Sequence, residues 1–227
     1  MFFFDEYYLI LVLPTLLLSL WAQFMVKSTF AKYSKVPCSK RVSGVDTASL
    51  LLRSNSINNV KVEAVGGSLT DHYDPRALTL RLSEPVYGST SIAAVGVAAH
   101  EAGHAIQHAT KWGPLALRST LVPVANIGSS FGPILAIAGL AMSFPLLINI
   151  GIILFGGAVL FYVIALPVEF NASNRAIAVL RENNVLDEKE LKNVKKVLNA
   201  AALTYVASAL TAIASLLRLI LLSRRRR

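Results

Sequence analysis

The 227-residue chain is short of charge, of acidic residues and of cysteine. Charged side chains make up 15% of it, against about 25% in a soluble domain. Hydrophobic residues make up 54%, so the missing charge points to a bilayer rather than to a larger core. The single cysteine, Cys38, excludes a disulfide framework within the chain. It also excludes a cysteine-built structural zinc site. Acidic residues number 13 against 22 basic ones, and the net charge is +9. Such a balance suits nucleic acid or anionic lipid. No interleaving of aromatic and basic residues marks a nucleic-acid face, and the basic residues flank apolar runs. Lipid is therefore the expected partner, and nucleic acid is not. No internal repeat stands out.

Long uncharged runs are what the chain does have. Tyr7 to Val26 carries no charge and matches the roughly 20 residues that cross a bilayer core. No basic stretch precedes it and no small-residue cleavage site follows, so it reads as an anchor rather than a signal peptide. Asp5 and Glu6 come before it. Lys27, Lys32, Lys35, Lys40 and Arg41 come after it, which puts the following segment in the cytoplasm by the positive-inside rule. A second uncharged run fills 119–168, long enough as helix to cross twice at about 1.5 Å per residue. Pro145 near its middle predicts two spans, 121–143 and 147–168. Ala200 to Leu217 is also apolar, before Arg218 and the terminal arginines. That last helix reads either as a span or as an amphipathic helix on the surface.

The chain thus divides into an anchor (1–26), a cytoplasmic segment (27–119), a membrane hairpin (120–168) and a C-terminal part (169–227). Within 27–119, Asp46 or Thr47 begins a short helix through Arg53. Val60–Val65 and Leu78–Leu82 alternate as strands and could pair through the loop at 71–75. A helix is expected from about Ser91 to Thr110, ended by Gly113-Pro114. Asp187 with Glu190 predicts a capping box at the start of the last helix.

His100-Glu101-Ala102-Gly103-His104 carries the chemistry. Residues four apart on a helix share one face, so two imidazoles can meet one Zn²⁺ at about 2.0–2.1 Å. Glu101 lies beside the first ligand, placed to take a proton from zinc-activated water and return it to the leaving amine. The surrounding Ala, Val, Gly and Ile suggest a buried helix, where His and Glu must find partners. A third protein ligand is needed. His108, one turn past His104, is displaced along the axis by about 6 Å and reads as a core histidine or a neighbour of the site. Glu169 is the better candidate. It is the first charge after the double span, and an even number of crossings returns it to the side of His104. Glu182, Asp71, Asp74 and Glu84 are the remaining acidic candidates. His72, Tyr87, His108 and Arg175 have the chemistry to stabilise an oxyanion, with nothing to choose among them.

The stretches Thr70–Pro75, His100–Gln107 and Pro167–Ser173 resemble the bacterial YugP-type neutral zinc metallopeptidases. That resemblance covers nearly the whole chain. It implies a gluzincin-like site in which His100, His104 and Glu169 bind zinc and Glu101 is the acid/base. It also implies an edge strand at Leu78–Leu82, beside the active-site helix, able to hold an extended peptide. More distant membrane gluzincins usually place an Asp four residues after the ligand Glu. Here that position is Ser173.

The expected protein is mainly α, an integral membrane protein with a zincin (gluzincin-like) core and a small β-hairpin or edge sheet. Its expected activity is that of a zinc metalloendopeptidase, acting on membrane or near-membrane polypeptides at the cytoplasmic face of the plasma membrane. A zinc-retaining, inactive scaffold or chaperone-like protein is the alternative, and intact Glu101 speaks against it. A transporter is disfavoured, because no span before Arg218 contains a charge.

Overall fold

The structure, a computed structural model, describes residues 5–225. A π-helical turn, Tyr8–Val12, leads into α1 (Leu13–Tyr33). Then follow α2 (Gly44–Ser54), β1 (Lys61–Val65), β2 (His72–Asp74), β3 (Thr79–Ser83), α3 (Glu84–Tyr87) and α4 (Ile92–Ala109). Three long helices complete the chain: α5 (Gly113–Ala141), α6 (Pro145–Glu182) and α7 (Glu188–Arg225). The fold is mainly helical with one small sheet. Among the described residues, four helices are long and apolar enough to cross a membrane: Tyr8–Tyr33, α5, α6 and α7.

The chain forms two compact units. One comprises the N-terminal residues through Gln23, Ala116–Pro167, and the residues from Leu203 onward. Its outward side chains are apolar: Ile153 is 74% exposed and Ile134 63%, which suits lipid and not water. Small residues let α5 and α6 approach closely. A Cβ on Gly128 would fall 2.1 Å from the Leu154 carbonyl oxygen, so only glycine fits that crossing. Asp5, just before the first helix, pairs with Arg218 near the end of α7 at 2.6 Å. Glu6 pairs with Arg225 in the same way. The start of the first helix and the end of α7 therefore lie together.

The other unit comprises Phe24–Leu115 and Val168–Ala202. Its core gathers Leu51, Leu80, Leu82, Ile92, Val95, Leu180 and Val194, all buried. The central element is α4, with Ala93, Ala94, Ala98, Ala99 and Ala102 wholly enclosed. Ser91 caps it, its side chain accepting from the Ala94 N–H. Ser43, rather than Asp46 or Thr47, caps α2.

The sheet differs from the expected hairpin. Its order is β1-β3-β2, with β1 and β3 parallel in the register Lys61 with Thr79 through Val65 with Ser83. The expected loop contributes a third strand: β2 runs antiparallel to β3, His72 opposite Arg81 and Asp74 opposite Thr79. Strand β3 is therefore central, with both edges taken, and it is buried at four of five positions. It offers no free backbone to a peptide, and the edge-strand role expected for Leu78–Leu82 is overturned. The strand packing against β3 on the α4 side of the sheet is β2.

Two helix boundaries also moved. The apolar span and the polar helix after it are one continuous α6. Nothing after Pro167 breaks the backbone ladder, and a change of polarity alone does not end a helix. Pro145 is the first residue of α6, where its missing N–H costs nothing. The capping box at 187–190 formed: the Glu190 N–H donates to Asp187 Oδ1 at 2.7 Å, and the Asp187 N–H to Glu190 Oε2 at 3.0 Å.

Candidate metal centre

Helices α4 and α6 supply the site. They meet at glycine: a Cβ on Gly103 would lie 2.5 Å from the Ala172 carbonyl oxygen. This approach sets His100 and His104, flanking Gly103 on α4, against Glu169, which lies one turn before Ala172 on α6.

One carboxylate oxygen serves both imidazoles. Glu169 Oε2 is 3.2 Å from His100 Nε2 and 3.5 Å from His104 Nε2. The candidate ligand atoms of the three residues all lie within 4.8 Å of one another. A tetrahedral zinc with bonds of about 2.0–2.1 Å separates neighbouring ligands by about 3.3–3.4 Å. The two separations from Glu169 bracket that edge, and two imidazoles with a carboxylate form a donor set that zinc takes. Glu169 is buried, with 3% of its side chain exposed, while the histidines keep 15% and 13%. The cluster is thus most enclosed on the Glu169 side, while the imidazoles keep a small exposure. The residues fit the metal.

Electrostatics agree. Burial works to lower the His104 pKa, but the hydrogen bond to Glu169 and the charges of Glu101 and Glu169 outweigh it and raise the value. Glu101 is buried, 9% exposed. Two carboxylates around two imidazoles make a negative pocket suited to a cation.

The outer nitrogens are also engaged. His100 Nδ1 lies 3.1 Å from Ser173 Oγ, so Ser173 reaches the histidine with a neutral hydroxyl where an aspartate would bring a charge. His104 Nδ1 lies 3.0 Å from Gln107 Oε1. The Gln107 amide donates to the Val168 carbonyl at 2.8 Å and to Asn171 Oδ1 at 3.0 Å. Reading the sequence assigned no role to Gln107 or Asn171. The available signal was an amide three residues after His104 in a helix otherwise built of small apolar residues.

The remaining candidates lie outside the cluster. Asp71 accepts from the Ser83 N–H and hydroxyl at 2.7 and 2.8 Å. Asp74 accepts from the backbone of Arg76 and Ala77. Glu84 and Glu182 are exposed. Among the possible oxyanion groups, His108 Nδ1 meets the Tyr73 hydroxyl at 2.8 Å. Arg175 Nε donates to Asn171 Oδ1 at 2.8 Å. His72 is exposed and bonded to its own loop at Thr70 O, and Tyr87 packs against the core.

A membrane-associated helical chain with a His-Glu-x-x-His helix and a buried glutamate facing it has the makings of a zinc peptidase, and the comparisons agree. Residues 8–224 match the family described as "Putative neutral zinc metallopeptidase", and the chain belongs to that family. It is 48% identical over 215 residues to the "Putative membrane protease YugP" of Bacillus subtilis (strain 168), covering 95% of this chain and 96% of that protein. No solved structure matches it significantly.

Proposed function

We propose that the chain is a membrane-embedded zinc metalloendopeptidase of the zincin, gluzincin-like kind. The observation that carries this is the single Glu169 oxygen set 3.2 and 3.5 Å from the Nε2 atoms of two histidines one helical turn apart. His100, His104 and Glu169 would hold the metal. Zn²⁺, when bound there, supplies a Lewis acid that acidifies water and polarises a carbonyl. Glu101 accepts the proton of the attacking water as its oxygen bonds to the scissile carbonyl carbon. It then delivers that proton to the amide nitrogen as the C–N bond breaks. Its neighbour His100 is a ligand and His104 is already engaged, which leaves Glu101 as the base.

The substrate class follows from attachment. The helix that carries Glu169 is continuous with a candidate span, so polypeptides in or near the bilayer are the natural substrates. The lysines and Arg41 after the first span support a plasma-membrane protein with its active face in the cytoplasm. In this reading 1–26 anchors, 27–119 bears the zinc-binding helix, 120–168 is a transmembrane hairpin and 169–227 supplies the third ligand. The Asp5–Arg218 and Glu6–Arg225 pairs support a C-terminal helix that crosses, because they return its end to the start of the first span and neutralise arginines there.

The test pairs wild type with Glu101→Gln in detergent, measuring bound zinc and cleavage of casein. One zinc in both, with cleavage only by the wild type, is the expected result. No zinc in the wild type overturns the reading. Equal cleavage by both removes Glu101 from the mechanism.

A further inference from the structure

Hydrogen-bond polarity around His104 is over-determined, and this fixes more than the position of the ring. The Val168 carbonyl oxygen can only accept. The Gln107 atom 2.8 Å from it must therefore be the amide nitrogen. The other Gln107 atom, 3.0 Å from His104 Nδ1, is then the oxygen. An amide oxygen has no proton to give, so His104 Nδ1 must carry one. In the neutral ring the lone pair is left on Nε2, the atom turned toward Glu169.

A second constraint fixes the same amide from the opposite end. Arg175 Nε is a donor only, so the Asn171 atom 2.8 Å from it is the oxygen. That same oxygen accepts the second hydrogen of the Gln107 amide at 3.0 Å. An obligate acceptor and, through Asn171, an obligate donor thus agree on one orientation of Gln107. The side chain is wholly buried, so a flipped amide would set oxygen against oxygen at two contacts away from bulk solvent. The outer nitrogen of His100 has no such lock. Its Nδ1 faces Ser173 Oγ, a hydroxyl that donates or accepts as required.

We propose that Gln107, oriented by the Val168 carbonyl and by Arg175 through Asn171, is a positioning residue that fixes the Nδ1–H tautomer of His104 and so presents its Nε2 to the metal. The two zinc-binding histidines are then unequal, with His104 preset by the protein and His100 free to adapt. This rests on the metal-centre reading above and deepens it.

The test compares wild type with Gln107→Met, Gln107→Glu, Asn171→Ala and Ser173→Ala in detergent. Zinc affinity is measured by chelator competition, folding by circular dichroism and thermal unfolding, and the imidazole proton by ¹⁵N-histidine NMR of the zinc-loaded protein. Outer partners of ligating histidines are worth about 10–100-fold in metal affinity. Gln107→Met should lose affinity in that range and lose the slowly exchanging His104 Nδ1 proton while keeping its helical content. Gln107→Glu keeps an acceptor for that proton and should bind zinc within a few-fold of wild type, although it meets the Val168 and Asn171 oxygens and unfolds at lower temperature. Ser173→Ala should cost less affinity than Gln107→Met. If Gln107→Met fails to fold, Asn171→Ala decides: it leaves Gln107 in place and should speed exchange of the His104 Nδ1 proton. Wild-type zinc affinity in Gln107→Met, equal losses in the Met and Glu variants, or an unchanged Nδ1 proton in Asn171→Ala would overturn the proposal while leaving the metal centre intact. A wild type that binds no zinc would overturn both.

Discussion

Replacing Gly103 by alanine asks whether the close approach of α4 and α6 builds the site. The added Cβ would lie 2.5 Å from the Ala172 carbonyl oxygen, 3.1 Å from its carbon and 3.3 Å from its Cα. All three are backbone atoms in the middle of a helix, and none can rotate away. Restoring ordinary contact requires the helices to part by roughly 1 Å. Alanine is favoured over glycine in a helix interior by about 1 kcal/mol, whereas overpacking a core costs about 1–3 kcal/mol. Against immovable backbone the cost falls at the upper end, so the net effect is a loss of about 1–2 kcal/mol.

The effect on the site should exceed the effect on stability. Glu169 lies one turn before Ala172, so it moves with the displaced segment. Metal–ligand distances tolerate only about 0.2 Å, and a misplacement of about 1 Å costs on the order of 10²-fold in rate. Gly103→Ala should therefore bind zinc more weakly and cleave casein about 100-fold more slowly. Gly88→Ala is the control, since nothing lies within 4 Å of its added Cβ. Gly96→Ala is intermediate: its Cβ meets Val194 Cγ1 at 3.1 Å, a side-chain atom that can shift. Zinc affinity, thermal unfolding and casein cleavage, measured on all three, separate these cases. A Gly103→Ala protein that keeps wild-type affinity and activity would refute the claim that this crossing positions the ligands.

Asp71→Ala should lower stability by about 1–3 kcal/mol, since a carboxylate that receives both the N–H and the hydroxyl of Ser83 is removed; an unchanged melting temperature would show that this tie between the loop and the end of β3 is dispensable. For the C-terminal helix, Arg224 and Lys192 are exposed and the native Cys38 is buried, so single cysteines at the first two positions report topology. An impermeant maleimide applied to intact cells should label Arg224→Cys, and should reach Lys192→Cys only after permeabilisation. Labelling of both under the same condition would mean that α7 does not cross.

The residues of the candidate cluster were legible because their signal is local or topological. His100 and His104 announce themselves by a spacing that one helical turn converts into a shared face. Glu169 stood out because 119–168 holds no charge, so the next carboxylate had few competitors. The sheet was not legible in the same way. His72–Asp74 has three residues and no alternation, and a parallel pairing of Lys61–Val65 with Thr79–Ser83 is a non-local choice no turn signal encodes. No new helix starts at Glu169, because a change of polarity does not end a helix and α6 has no glycine or proline from Val168 to Glu182 to stop it. Gln107 was overlooked because its significance depends on Val168 and Asn171, some sixty positions away and brought near by packing alone.

Small residues explain why a site of this kind takes so few specialised side chains. Helix α4 is mostly alanine, valine and glycine before its first histidine, a composition that reads as merely buried. Its consequence is geometric, because short side chains let backbones come close, and close backbones leave ligands little freedom. Gly103 brings α4 against Ala172 in one unit, as Gly128 brings α5 against Leu154 in the other. In the first case the residues beside the crossing are His100, His104 and Glu169. Their donor atoms then converge without long flexible arms, and the buried Gln107 amide removes a remaining choice of proton position at His104. A site preorganised in this way loses little entropy when the metal enters. Its tolerance to substitution should therefore track distance from the crossing rather than distance from Glu101.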